Sequence, residues 1–282
     1  MSVEVNLSRR RVLPGLNLSL GITLFYVALI VVLPLGALVF KAASLGPEDY
    51  WRIVSSPRAL ASYRVTVLCA LAATAFNLVF GMALAWVLVR YRFPGRRLVD
   101  AIVDLPFALP TAVAGIALTT LFAQNGWFGS ILAPLGITVA YTPLGIIVAM
   151  AFTSLPFVVR TVQPVLEDMD PALEEAAQTL GGSDVSIFMR VILPLLTPAL
   201  LAGVSLSFAR SLGEFGAIIF IAGNQPFSTE ITALLTFIRL EEYDYQAAAA
   251  IASVLLITAF VMLAVTNVLQ ARALRYMDRS RT

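Results

Sequence analysis

The sequence of 282 residues contains no histidine and a single lysine, Lys41. Histidine is the commonest metal ligand and the commonest proton carrier near neutral pH, so its absence argues against sites of either kind. No glycine-rich GxxxxGK[ST] loop precedes Lys41, so the chain lacks a P-loop of the familiar kind. If ATP drives this protein, another chain must bind it.

Cysteine and charged residues are also scarce. Cys69 is the only cysteine, which excludes a disulfide within the chain. Because it lies in an apolar run, we expect it to be a small buried hydrophobe. Only 13% of the residues are charged, and the mean hydropathy is +0.88. A soluble domain of this size needs far more polar surface, so the composition predicts an all-α protein that crosses a membrane several times.

Six apolar stretches are predicted to be transmembrane helices. Residues 105–159 contain no charge and are too long for one span, and turn signals at Asn125-Gly126 and Pro134-Leu135-Gly136 divide them. The predicted spans are Leu20–Phe40, Val65–Val89, Ala101–Ala123, Val139–Val162, Val191–Ile221 and Ala247–Ala271. They form a single transmembrane domain, 20–271, between an N-terminal segment, 1–19, and a C-terminal tail, 272–282. Residues 41–64 and 223–246 are predicted to be polar loops.

The basic residues divide unequally between the two sides of this six-span arrangement. One side collects thirteen arginines: Arg9, Arg10, Arg11, Arg90, Arg92, Arg96, Arg97, Arg160, Arg190, Arg272, Arg275, Arg279 and Arg281. The other side holds five basic residues: Lys41, Arg52, Arg58, Arg64 and Arg239. Positively charged loops stay in the cytoplasm, so we expect both termini to be cytoplasmic, with the chain in a bacterial-type inner (plasma) membrane.

One polar segment stands between the fourth and fifth spans, and we call Glu167–Pro194 the island. Asp170-Pro171 predicts a helix start, with a capping carboxylate before a proline at the first helical position. Gly181-Gly182 predicts the end of this helix, since glycine adopts the left-handed cap without steric cost. Ser183 is predicted to cap a second short helix, which leads to a membrane entry at Pro194.

Two interpretations of the island compete. Leu173, Ala176, Ala177 and Leu180 fall on one helix face, and small side chains there would let the helix seat deeply against a partner. The alternative is an amphipathic connector that lies flat on the bilayer. The island has six carboxylates against one arginine, Arg190, and an anionic cytoplasmic leaflet repels such a segment. The charge therefore favours a protein partner.

The spacing inside the island resembles a known motif. Glu175-Ala176-Ala177, then Gly181, then Val191-Ile192-Leu193-Pro194 match E-A-A-x3-G-x9-I-x-L-P, the EAA loop of importer permeases of the ATP-binding cassette (ABC) class. Val191 in place of isoleucine is the one departure. The resemblance covers roughly residues 60–271 and implies the type I importer permease fold. It also implies that the island forms coupling helices that dock on a separate ATPase.

Other stretches resemble the T-type permease of the sulfate/thiosulfate importers. They are Asp104–Gly115 (DLPFALPTAVAG) and Asn125–Gly129 (NGWFG). The segment Ser211–Ala217 (SLGEFGA) is shared with the molybdate permease and the W-type sulfate permease, so molybdate or tungstate import stays an alternative. The resemblance implies a heterodimer with a W-type permease, two ATP-binding subunits and a periplasmic sulfate-binding protein, in contact with lipid and with no nucleic acid. ATP and Mg²⁺ would bind the partner ATPase, and this chain would bind no cofactor and catalyse no reaction.

Arg210 and Glu214 are ionisable residues inside the fifth apolar run, where such groups are costly. Being four residues apart, they are predicted to stack on one helix face, with Gly213 and Gly216 allowing close packing. They either line or gate the transport pathway, or form a structural pair that locks the span to its neighbours. Both interpretations stay open.

Other polar and helix-breaking residues near the spans have weaker functional signals. Pro106, Pro110, Pro143 and Pro156 are predicted to interrupt the third and fourth spans, which suits either a gate or a purely architectural kink. Asp104 is expected to lie at the membrane interface. Ala73, Asn77, Gly81 and Ala85, at helical spacing, predict close packing of the second span.

Two further classes of function remain as alternatives. An ion-gradient transporter needs carboxylates or histidines within the membrane as ion sites, and Glu214 is the only deeply placed candidate. A membrane-embedded enzyme needs a nucleophile with its base or a cluster of metal ligands, and neither pattern appears in the sequence. The residues therefore favour a permease subunit driven by a separate ATPase.

Overall fold

The computed structural model describes residues 16–279, and all regular secondary structure in that range is helical. The all-α prediction is therefore confirmed for this range, while Arg9, Arg10, Arg11 and Arg281 lie outside it. In chain order the helices are α1 (residues 16–43), α2 (Pro47–Val54), α3 (Pro57–Arg90), α4 (Arg96–Val103), α5 (Leu105–Ala108), α6 (Thr111–Phe122), α7 (Gly129–Leu132), α8 (Pro143–Glu167), α9 (Pro171–Thr179), α10 (Asp184–Leu212), α11 (Ile218–Ile221), α12 (Thr232–Glu241) and α13 (Tyr245–Arg279). A 3₁₀ turn, Ala133–Leu135, follows α7. Helices α1 and α10 each contain one π-helical turn, at Ala28–Val32 and Phe188–Ile192.

Five helices in the described range are long and apolar enough to cross a membrane, namely α1, α3, α8, α10 and α13. They coincide with five of the six predicted spans. Helix α3 begins at Pro57 rather than Val65, because proline occupies its first position and the Ser56 hydroxyl accepts a hydrogen bond from the Ala59 N–H at 3.4 Å. Helix α13 continues past the predicted boundary at Ala271 to Arg279.

The predicted third span, Ala101–Ala123, is not one spanning helix, and its predicted interruption by prolines is confirmed. The structure divides it among α4, α5 and α6, of which only the last is apolar over ten or more residues. Leu109 is extended (φ −85°, ψ 134°), because the ring of Pro110 disfavours the helical conformation in the residue before it. In contrast, Pro143 begins α8 and Pro156 lies within it, so the predicted interruption of the fourth span is wrong.

The two segments predicted as polar loops each contain a helix, α2 in 41–64 and α12 in 223–246. Leu234 and Leu235 on α12 are buried, and Glu230, just before it, is almost fully buried. Arg58 at the start of α3 holds the Glu230 carboxylate with two hydrogen bonds, Nε–Oε2 at 2.8 Å and Nη2–Oε1 at 2.6 Å. The ion pair fixes the segment before α12 to α3, which explains why this polar stretch is ordered.

Helix α8 lies at the centre of the bundle, between α3 and α10. The predicted packing face of α3 is confirmed, since Ala73, Asn77, Gly81 and Ala85 are all buried, as is Cys69. Asn77 Nδ2 donates to the Ala151 carbonyl at 3.1 Å and to Ser154 Oγ at 2.8 Å. Small residues and one buried amide therefore bring α3 close to α8, as in other membrane helix pairs.

Gly203 on α10 marks a second close approach, and a Cβ at this position would lie 2.9 Å from Val158 Cα. We expect Gly203→Ala to destabilise the purified chain by about 1–3 kcal/mol, because two helix backbones must separate to admit the methyl group. Thermal unfolding in detergent would measure the change. Gly36→Ala is the matched control, since Gly36 is also helical but has nothing within 4 Å of an added Cβ. An equal or smaller loss at Gly203 than at Gly36 would contradict the prediction.

Candidate functional site

The first helix of the island, α9, begins as its sequence predicts. Asp170 is extended, and its Oδ1 accepts a hydrogen bond from the Ala172 N–H at 2.9 Å. Pro171 is the first helical residue, where no N–H is needed. Glu174 lies in the first turn, where the helix dipole favours a negative charge. Local chemistry alone therefore fixes this end of α9.

The end of α9 also follows the prediction. The helix ends at Thr179, and Gly181 adopts a left-handed conformation with φ +80°. The Gly182 N–H donates to the Ala177 carbonyl at 3.0 Å, which satisfies one of the carbonyls at the helix end. Nothing lies within 4 Å of a Cβ built on Gly181, so glycine is required there for its backbone conformation rather than for space.

The second half of the island is not a separate short helix, and that prediction is wrong. Ser183 caps a helix as expected, accepting from the Ser186 N–H at 3.4 Å, but this helix is α10, which continues to Leu212. A π-helical turn, Phe188–Ile192, directly precedes the segment in which Pro194 lies. Proline is tolerated in a long apolar helix where such local adjustments re-satisfy the backbone. Val191 and Pro194 therefore belong to a helix of spanning length.

The residues of the EAA motif divide between an exposed and a packed side of the island. Glu175, Ala176, Gly181 and Pro194 are exposed, whereas Ala177 and Val191 are half-buried against the core. Large apolar side chains of the island are exposed as well: Leu180 is 88% exposed, Val185 70% and Met189 56%. We call Leu173, Glu175, Ala176, Leu180, Val185 and Met189 the outer face of the island. Apolar side chains concentrated on an exposed face are typical of a site that binds a protein or a membrane, and the acidic charge of the island favours a protein.

An arginine that the sequence analysis counted only for topology holds the island on its packed side. Arg90, the last residue of α3, forms an ion pair with Glu174 on α9. Its guanidinium also lies 5.2 Å from the centre of the Trp86 ring, within cation–π range. Nothing in the sequence signals this pairing, because 84 residues separate the two partners.

A second arginine explains the position of Asp104. Arg160 on α8 binds both oxygens of the Asp104 carboxylate, at 2.8 and 2.7 Å, and donates to Asp100 Oδ1 at 2.6 Å. Asp104 thus has a charged partner at the end of the bundle that carries the island. Its predicted place at a membrane interface stays a prediction. The contact ties the broken third segment to α8.

Arg210 and Glu214 are paired as expected, but not on one helix face. Helix α10 ends at Leu212, and Glu214 lies in the non-helical segment 213–217. Glu214 is 1% exposed, with its Oε2 2.7 Å from Arg210 Nη2. Its Oε1 accepts a hydrogen bond from the Ala217 N–H at 2.8 Å. The carboxylate therefore caps the next turn of backbone while it neutralises the arginine.

The segment 213–217 lies against α6. A Cβ on Gly115 would be 2.7 Å from Ala217 Cα, and one on Gly216 would be 3.3 Å from the Ala112 nitrogen. Gly213 has no neighbour closer than 3.9 Å, so the prediction of close packing holds for Gly216 and is wrong for Gly213. The Arg210–Glu214 pair therefore joins the end of α10 to a segment that packs against α6 through Gly216 and Ala217.

Metal-binding geometry is not found in the described part of the chain, 16–279, where no group of three or more Cys, Asp or Glu side chains converges. The candidate site thus consists of the outer face of the island and three sets of ion pairs, those of Arg90, Arg160 and Arg210.

Comparison with known proteins identifies the family. Residues 77–275 match the family described as "Binding-protein-dependent transport system inner membrane component". The chain belongs to this permease family. Its similar relatives include the "Sulfate transport system permease protein CysT" of Salmonella typhimurium, 59% identical over 94% of this chain and 96% of the relative. The proteins of the same name from Escherichia coli and Synechocystis are 58% and 49% identical, over 94% and 91% of this chain and 96% and 90% of their own lengths.

Solved structures support the fold of this permease. An ABC transporter involved in import of the acidic polysaccharide alginate matches with a TM-score of 0.74 at 18% identity, over 91% of this chain and 95% of the matched chain. The MetNI methionine ABC transporter matches with a TM-score of 0.61 at 17% identity, over 81% and 99%. At these identities the likeness concerns the fold alone, and the predicted ABC importer permease fold is confirmed.

Proposed function

We propose that this chain is the transmembrane permease subunit of an ATP-driven importer of sulfate. The observation that carries the proposal is the 59% identity, over nearly the whole length of both chains, to a permease named for sulfate transport. Relatives between 45% and 58% identical are also named as sulfate permeases, the 45% identical one as a probable sulfate permease, which favours sulfate over molybdate or tungstate. Thiosulfate has a similar shape and charge, and we propose it as a second substrate.

The island is proposed as the surface that couples this chain to a separate ATPase. Its outer face is exposed and partly apolar, and the chain has no P-loop of its own. ATP and Mg²⁺ would bind two copies of the partner ATPase, whose closure moves the island and thereby switches the bundle between outward and inward access. Glu175, Ala176, Ala177, Gly181, Val191 and Pro194 are the coupling residues in this proposal.

The remaining subunits and the orientation in the membrane complete the proposal. A W-type permease is proposed as the partner that completes the pathway, and a periplasmic sulfate-binding protein as the source of substrate. The alginate transporter offers a parallel, since its description includes a substrate-bound periplasmic protein. Both termini and the island would face the cytoplasm from the inner membrane. The sixth crossing would be made by α6 together with the short helices α4 and α5.

The contacts of Arg210 and Glu214 support one of the two interpretations of the pair. Glu214 joins segment 213–217 to Arg210 on α10, and Arg210 keeps 30% of its side chain exposed. We propose that the pair acts first as a lock and that Arg210 influences the anion only through the positions of these two segments. Permanent neutralisation by Glu214 weakens the attraction between Arg210 and a dianion, which speaks against a direct ligand.

The proposal predicts ATP-dependent sulfate uptake that needs this chain but no hydrolysis by the chain itself. In cells that lack the chain, uptake of labelled sulfate is expected to be lost and then restored by the wild-type gene. A tenfold excess of molybdate is expected to inhibit this uptake less than the same excess of unlabelled sulfate. The purified chain alone is expected to hydrolyse no ATP. Measurable hydrolysis by the single chain, or stronger inhibition by molybdate than by unlabelled sulfate, would contradict the proposal.

A further inference from the structure

Helix α3 ends against the island although it is not the island's neighbour in the chain. The island continues covalently from α8 on one side and into α10 on the other. Only side chains connect it to α3, and Arg90 provides the connection at the last residue of that helix. The side chains of Arg90 and Glu174 are 24% and 22% exposed, so the ion pair is largely removed from solvent.

The surroundings of Arg90 bring a third element into the same contact. Arg90 Nη2 lies 3.8 Å from Met169 Sδ, and the guanidinium stacks near the Trp86 ring. The Trp86 ring in turn meets Phe188 edge to face, with centroids 5.6 Å apart. Phe188 begins the π-helical turn of α10. The ends of α3, α9 and the first part of α10 therefore converge on one arginine.

Helix dipoles favour both charges of this pair. Arg90 is the basic residue in the last turn of α3, where the partial charge of the helix end is negative. Glu174 is in the first turn of α9, where it is positive. Each charge is thus stabilised by its own helix and by its partner, which makes separation of the two unfavourable.

The neighbouring arginines do not share these features. Arg92 and Arg97 are exposed, which suits interaction with solvent or lipid headgroups. Arg90 is mostly buried and has its carboxylate partner within the chain. An interfacial role common to the whole arginine cluster does not explain this difference.

We propose that Arg90 is a positioning residue that transmits movement of the island to α3 through its ion pair with Glu174 and its stacking on Trp86. This proposal rests on the proposed function, because it assumes that a partner ATPase moves the island. An island displaced by the partner must carry the end of α3 with it or leave two partly buried charges unpaired. Helix α3 then moves with α8 and α10 as one body, and the pair contributes to coupling in addition to stability.

The test uses the assembled transporter in lipid vesicles, with its partner permease, ATPase and binding protein, and measures sulfate uptake and ATP hydrolysis in the same sample. For Arg90→Ala and Glu174→Gln, we expect uptake per ATP hydrolysed to fall by about tenfold, while hydrolysis itself changes by less than about threefold. The charge swap of Arg90→Glu with Glu174→Arg is expected to recover only part of the ratio, since it restores the ion pair but reverses both helix-dipole contacts and removes the stacking on Trp86. Arg97→Ala, which removes an exposed arginine of the neighbouring helix α4, is the control that keeps the wild-type ratio.

The outcomes separate this inference from the proposed function. If the wild-type transporter takes up no sulfate with ATP, both fail. If the wild type transports and every variant keeps its ratio of uptake to hydrolysis, only the role of Arg90 is overturned. The same holds if uptake and hydrolysis fall together in proportion, since this indicates a purely structural pair. If Arg90→Ala does not assemble, Glu174→Gln decides the matter, because it preserves the side-chain shape and removes only the charge.

Discussion

Replacing Glu214 with alanine is expected to destabilise the folded permease by about 3–5 kcal/mol, since removal of one partner of a buried pair leaves the other charge uncompensated. Glu214 is 1% exposed and holds both Arg210 and the Ala217 N–H. The variant therefore loses an ion pair and the hydrogen bond that shapes segment 213–217. Thermal unfolding of the purified chain in detergent and the amount of protein inserted in the membrane would measure the loss.

Two further variants distinguish the lock from the pathway. Glu214→Gln with Arg210→Met removes both charges but keeps a carbonyl oxygen near Ala217, so we expect stability close to wild type, within about 1 kcal/mol. If the pair is a lock, this double variant also transports sulfate. A folded double variant without uptake would instead place Arg210 in the anion pathway.

An exposed ion pair provides the matched control for this series. Arg239 and Glu242 are 2.7 Å apart, with side chains 33% and 49% exposed. Glu242→Ala is expected to cost less than about 1 kcal/mol, because solvent screens an exposed pair. A loss at Glu214 no larger than this would show that the buried pair contributes little.

Features governed by neighbouring residues could be predicted from the sequence. The start of α9 at Asp170-Pro171 and its end at Gly181 both depend on residues within a few positions, and both predictions are confirmed. Long apolar runs likewise predict spanning helices, because the length and composition of a run depend only on neighbouring residues. The prolines of 101–123 also act locally, because Pro106 and Pro110 lie close enough together to break a helix that one proline, such as Pro156 in α8, leaves continuous.

Contacts between distant segments could not be predicted. Arg58–Glu230, Arg160–Asp104 and Arg90–Glu174 join residues 172, 56 and 84 positions apart. Each charge alone resembles a solvated loop residue, and only the packing of the helices brings the partners together. The same limitation concealed α12, since the charges before, within and after it made its apolar residues resemble part of a polar loop.

Replacing Gly181 with valine is expected to lower sulfate uptake by the assembled transporter at least about tenfold, while membrane insertion stays normal. Gly181 has φ +80°, a conformation that costs a non-glycine residue about 1–2 kcal/mol and a β-branched residue more. We expect the variant to relieve this strain by shifting α9 against α10, which would move Leu180 and the rest of the outer face away from the proposed partner ATPase. We therefore expect a large loss of uptake with only a small loss of stability, because the turn itself has few contacts to break.

Gly95 supplies the control for this experiment, since it has φ +86° and nothing within 4 Å of an added Cβ. Gly95→Val introduces the same kind of strain before α4, outside the outer face of the island, and is expected to keep most of the uptake.

Glu175→Ala tests the outer face of the island without backbone strain. Its carboxylate is exposed, and in the described part of the chain it forms no ion pair, so its removal should reduce uptake with no change in unfolding temperature. Normal uptake by Gly181→Val and Glu175→Ala at matched expression would refute a coupling role for the island, because strain and charge would then have been changed at its exposed turn without consequence.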